Sequence, residues 1–92
     1  MTWVLAIESS HKRGMGHCYR AIHIYRYLLQ KGEKCVVLLN RDEASEKILK
    51  ESEIFFEVVK YYDWETRWEQ EIVNRYHVKI WLWDRCDLPR VT

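Results

Sequence analysis

The chain has 92 residues, enough for one small domain with a modest hydrophobic core. Its formal net charge of +1 gives no electrostatic footprint for nucleic acid, and no apolar run approaches the length of a membrane span. The N-terminus has no basic stretch followed by a signal-like apolar core, so a cytoplasmic protein with no membrane partner is expected.

Thr2 to Ser9 reads as the first strand, built on the apolar run Trp3-Val4-Leu5-Ala6-Ile7. Residues 10–16 then form a loop. From His17 to Lys31 the pattern is helical. Cys18, Ala21, Ile22, Tyr25, Leu28 and Leu29 recur at i, i+3, i+4, i+7, i+10 and i+11, which predicts one buried stripe. Gly32 is a natural residue to stop this helix. The run Cys35-Val36-Val37-Leu38-Leu39, within a strand from Lys34 to Asn40, is continuously apolar, as expected of a strand covered on both faces. Asp42 can cap a short second helix running to about Glu51. Ile54 to Val59 reads as a third strand. Asp63 can cap a third helix that ends at His77, with Trp64, Trp68 and Ile72 four apart and the two tryptophans in the core. Val78 to Trp83 is the fourth strand. Strict alternation would put Val78, Ile80 and Leu82 on one face and Trp81 and Trp83 on the other. Pro89 ends regular structure.

Strands alternating with helices at this spacing predict an α/β fold: a Rossmann-like three-layer sandwich on a four-stranded parallel sheet in the order 3-2-1-4. The strand order then reverses between strands 1 and 4, the place where open α/β sheets bind ligands. The loop Ser10–Gly16, His17, and Asp84-Arg85 after strand 4 would converge there. Strand 4 is also an edge written for burial on both faces, so either self-association along it or only marginal stability of the isolated chain is expected. Five Trp and six Tyr are many for this length, and any that the core leaves uncovered would mark a partner surface.

Three cysteines, Cys18, Cys35 and Cys86, are odd in number and no two have metal-knuckle spacing. They read as reduced structural thiols, and neither a metal nor a cofactor is expected. Cys18 is not read as a nucleophile, because helical neighbours one apart, such as His17, do not face each other.

Two familiar phosphate-binding loops are excluded. A dinucleotide fingerprint needs a third glycine where Tyr19 stands, and an acid at the end of strand 2, where Asn40-Arg41 stands. A P-loop needs Lys-Ser/Thr after its second glycine, and Gly16 is followed by His17-Cys18. What the loop does hold is Gly14-Met15-Gly16-His17-Cys18-Tyr19-Arg20, a Gly-x-Gly-His-x-x-Arg pattern between a strand and a helix. This resembles the first βα turn of GT-B-fold nucleotide-sugar enzymes. The nearest family is the UDP-sugar hydrolases of the pseudaminic-acid pathway and their relatives in spore-coat polysaccharide synthesis. Ser9-Ser10, Lys31-Gly32 and the strand Ile80-Trp81-Leu82-Trp83-Asp84 also fall where that family has a Ser-rich loop, a helix-ending glycine and a strand ending in Asp. Ala21-Ile22 stands where relatives often carry Cys-Leu.

The resemblance implies hydrolysis or transfer at the anomeric carbon of a UDP-sugar, with His17 as the general base. A helix N-terminus favours the neutral imidazole, the form that accepts a proton. Gly14, Met15 and Gly16 would let the loop backbone approach the sugar or phosphate. Arg20 and Asp84 complete the expected substrate-binding set, Arg20 in a chiefly structural role against Asp84 or Glu8. GT-B enzymes have two Rossmann-like domains, so residues 1–92 are expected to be the leading portion of such an enzyme. The alternative is a small α/β interaction module without catalysis.

Overall fold

The computed structural model describes residues 2–8, 16–61, 65 and 67–84, with Asp84 defined by its backbone. Four strands and three helices alternate: β1 (Thr2–Ile7), α1 (Gly16–Gln30), β2 (Lys34–Leu39), α2 (Glu43–Glu51), β3 (Phe56–Val58), α3 (Trp68–Tyr76) and β4 (Val78–Asp84). The strands form one all-parallel sheet in the order β3-β2-β1-β4, as expected. β1 pairs along its whole length with β2 on one side and β4 on the other.

Alternate residues of the central strands feed two cores. Leu5, Ile7, Cys35, Val37 and Leu39 pack on one face against the buried stripe of α1 and Leu49 of α2. Val4, Ala6, Val36 and Leu38 pack on the other against Tyr61 and against Trp68 and Ile72 of α3. The result is a three-layer sandwich, and it explains why β1 and β2 are written as continuous apolar runs. Trp68 lies in the core, its ring edge-on to Tyr61 at 5.2 Å and its indole N–H donating to the Tyr61 carbonyl at 3.2 Å.

The helix ends are fixed by local chemistry. α1 closes on a Schellman turn: the Glu33 N–H donates to the Leu28 carbonyl at 2.9 Å and the Gly32 N–H to Leu29 at 3.0 Å. Gly32 takes φ +78°, where a side chain would be strained. Asp42 caps α2, its carboxylate accepting from the Ser45 N–H at 3.0 Å and the Ser45 hydroxyl at 2.6 Å. Glu46 reaches back to accept from the Asp42 N–H at 3.2 Å, a reciprocal arrangement. α2 ends on a second Schellman turn, with Glu53 rather than glycine in the left-handed position.

Four expectations are corrected. Leu29 is 48% exposed and lies outside the buried stripe, because Leu28 fills the inward position of the last turn of α1. β3 spans three residues, not the six from Ile54 to Val59: Ile54 instead closes the α2 turn by donating to the Leu49 carbonyl at 3.0 Å. α3 starts at Trp68, since Arg67 adopts left-handed backbone at φ 52° and interrupts any earlier helix; Asp63 and Trp64 lie outside the described residues. Finally, β4 does not alternate strictly. Thr2 pairs with Val78 but Trp3 pairs with Ile80, an irregularity that inserts Lys79 as an extra residue. Val78 is thereby turned onto the face of Trp81, and both pack on the α3 core. Ile80 and Leu82 stay on the α1 face, each 36% exposed. Pro89 lies outside the described residues.

Candidate functional site

In a parallel α/β sheet every helix runs against the strands, so helix N-termini gather at the carboxyl ends of the strands. α1 begins at Gly16, so His17 stands in its first turn, half-buried, at the carboxyl edge of β1. β1 is the strand from which the order departs in both directions, towards β2 and towards β4. Ile7, its last residue, pairs with Asp84, so the backbone of Asp84 flanks the point where the chain leaves β1 for the loop. The fold therefore brings His17 and the Asp84 backbone to one edge. Gly14 and Met15 lie outside the described residues, as do Ser9, Ser10, His11, Lys12, Arg13 and Arg85.

The three helices differ electrostatically at this edge. α2 carries Glu43 and Glu46 in its first turn and α3 carries Glu69 and Glu71, whereas the first turn of α1 has no acid. A carboxylate there would compensate the partial positive charge of a helix N-terminus. α1 carries no such acid in its own first turn, and a helix N-terminus of that kind suits an external anion.

Gly16 clarifies what a glycine is for at this place. Among the described residues a Cβ built on it would meet nothing within 4 Å, and its backbone is not in the left-handed region. The described residues make no demand for glycine at this position. A demand, if the chain makes one, comes from something approaching its backbone from outside.

Cys18 has no part in chemistry. It is fully buried, and its thiol points to the Ser45 carbonyl of α2 at 4.0 Å, tying α1 to α2. Cys35 is buried as well, and burial pushes its thiol up to about 12. Arg20 is exposed one turn beyond His17. His23 and His77 are exposed, away from the cores. Among the described residues no group of three His, Cys, Asp or Glu side chains gathers as a metal site. No described helix is long and apolar enough to cross a membrane.

The sequence reading missed one surface feature. An open cleft of about 470 Å³ lies at the start of α3, lined by Arg67, Trp68, Glu69 and Gln70. It occupies the opposite face of the sheet from α1. Its signal was hidden because the left-handed Arg67 that starts α3 has no sequence signature. Comparison with protein families, with curated proteins and with solved structures found no match to the chain.

Proposed function

We propose that residues 1–92 are the leading portion of a two-domain GT-B-type enzyme that hydrolyses or transfers at the anomeric carbon of a UDP-sugar, in surface polysaccharide or nonulosonic-acid synthesis. The observation that carries this reading is His17 in the first turn of α1, a turn without acids, at the carboxyl edge where the strand order reverses. It gives the Gly-x-Gly-His-x-x-Arg resemblance a physical context suited to a diphosphate.

The chemistry follows from those parts. The imidazole of His17 takes a proton from water, or from an acceptor hydroxyl, as that oxygen attacks the anomeric carbon. The bond from that carbon to the diphosphate oxygen breaks, and its electron pair leaves with UDP. Negative charge grows on the departing phosphate, where the N–H groups of the α1 terminus act on it. Gly14, Met15 and Gly16 would contribute backbone rather than side chains. Arg20 and Asp84 border the site. A second domain facing the carboxyl edge would hold most of the nucleotide.

Titration of the ¹⁵N-labelled chain with a UDP-sugar tests this. Weak, saturable shifts confined to the amides around Gly16, His17, Arg20 and Asp84 are expected, with no turnover by the chain alone, because half a site loses orientation and charge stabilisation. Shifts scattered elsewhere, or none at millimolar ligand, would refute the reading. In the two-domain enzyme, His17→Ala is expected to lower kcat by about 10²–10⁴-fold, the scale of a lost general base, with KM little changed.

A further inference from the structure

The two edges of the sheet are unlike. β3 is three residues long, and its centre, Glu57, has its carboxylate held by Arg75 and Tyr76 of α3. A copy pairing antiparallel there would bring Glu57, with its carboxylate committed to Arg75 and Tyr76, opposite itself at roughly 5 Å, a polar contact with no apolar burial. Charge and brevity are the ordinary protections of an edge strand.

β4 has neither. It is seven residues long, has no neighbour on its outer side among the described strands, and its middle, Ile80-Trp81-Leu82, is uncharged. Ile80 and Leu82 are partly exposed on the face of the sheet that carries α1, while Trp81 packs on the α3 core from the other. We propose that this edge pairs with β4 of a second copy of the chain, antiparallel about a twofold axis through Trp81, making one eight-stranded sheet.

The register follows from symmetry and charge. A twofold axis perpendicular to the sheet joins like faces, so a residue must lie opposite itself or opposite one of its own face. About Trp81, Ile80 of each copy lies opposite Leu82 of the other, and Trp81 opposite Trp81. Both contacts are apolar. The nearest charges on the strand are of opposite sign, Lys79 before the patch and Asp84 after it. Lys79 has its partner within its own chain, Glu33 at 3.4 Å, and in this register lies opposite Trp83 of the other copy. The two Lys79 residues are then four positions apart, about 14 Å along the strands, beyond the screening length of roughly 8–10 Å. A net charge of +1 adds no long-range repulsion between copies. The same operation that sets polar groups opposite one another on β3 sets apolar ones opposite one another on β4. This inference concerns the lateral edge of the sheet, so it stands or falls independently of the nucleotide-sugar reading.

Light scattering and sedimentation across a dilution series of the 92-residue chain test it. The expected species has twice the 11.3 kDa chain mass and dissociates on dilution. Ile80→Lys combined with Leu82→Lys sets ammonium groups opposite one another across the seam, and is expected to raise the dissociation constant at least about 100-fold. Val73→Lys, at an exposed apolar position on α3, leaves it unchanged. Hydrogen exchange on the unsubstituted chain gives a readout that does not depend on any variant folding: protection of β4 amides rises with concentration, and that of β3 amides does not. A monomeric mass throughout overturns the proposal and means that the edge is covered from within the chain. A dimer indifferent to the double substitution, or concentration-dependent protection on β3 instead, also overturns it.

Discussion

Tyr61 is expected to be a disproportionate stabiliser of this fold, and removing one atom tests it. Its hydroxyl lies 2.8 Å from the Ile7 carbonyl at the end of β1 and 2.9 Å from the Leu38 carbonyl near the end of β2. The residue is 2% exposed, so no water substitutes. One hydrogen serves two acceptors, as a shared bond or by turns. Tyr61→Phe keeps the ring and its edge-on contact with Trp68, and deletes only the donor. The loss combines a buried hydrogen bond with strand-end carbonyls left facing apolar carbon, about 1–3 kcal/mol. A domain of this size has only about 5–14 kcal/mol in total. At roughly 4–8 °C per kcal/mol, Tm is expected to fall by about 5–20 °C. Urea unfolding followed by tryptophan fluorescence would show a lower midpoint at unchanged slope. Tyr27→Phe, at a position 58% exposed, is the control and should change stability by less than about 0.5 kcal/mol. A Tyr61→Phe effect no larger than that control would refute the reasoning.

Two further outcomes test local chemistry. Asp42→Ala removes the cap of α2 and strips the buried Ser45 hydroxyl of its acceptor, so a loss of about 1–3 kcal/mol is expected in urea unfolding. Cys35 links stability to alkaline pH: its thiol rises from 9.0 to about 12 in the folded chain, so the unfolded chain releases that proton first. The contribution is intact below pH 9 and is lost as pH rises towards 12, and the stability–pH slope of Cys35→Ala should be flatter than that of the unsubstituted chain over that window.

The layers and the strand order were legible because burial on both faces writes a strand as an unbroken apolar run. Lys34–Leu39 could be nothing else at that length, and the helices between strands then compel parallel pairing. Gly32 and Asp42 were legible because each residue type suits its cap for one reason. The departures share a different cause: the backbone did something that its residue type does not advertise. Glu53 and Arg67 occupy left-handed positions that glycine would have signalled. Lys79 is an extra residue in β4, and nothing in Val78-Lys79-Ile80 announces a shift of register. Yet that single insertion decides which apolar side chains β4 buries and which it shows. At the candidate site, the position of His17 was legible from the strand–loop–helix order. The absence of acids in the first turn of α1 gains meaning only beside the Glu-bearing first turns of α2 and α3.

Gly16 separates a binding loop from an ordinary bend. In a bend, glycine is kept because the backbone needs left-handed dihedrals or because a neighbour would collide with Cβ. Neither holds among the described residues: no neighbour lies within 4 Å of a Cβ and the backbone is ordinary. Gly16→Ala should therefore leave the fold intact, and since Gly16 begins α1 it should gain up to about 1 kcal/mol from the better helix former. If the α1 terminus receives a phosphate, the same methyl group stands between ligand and backbone. Binding of a UDP-sugar, read from the amide shifts of His17 and its neighbours, should then weaken by about tenfold or more, the scale of a lost charge-assisted hydrogen bond. Stability and binding are thus expected to move in opposite directions in one variant. A variant that is equally stable or more so, and that gives unchanged ligand shifts, would remove Gly16 from the site. A variant that unfolds would show that the fold does need this glycine, and would return the Gly-x-Gly pattern to the role of a turn.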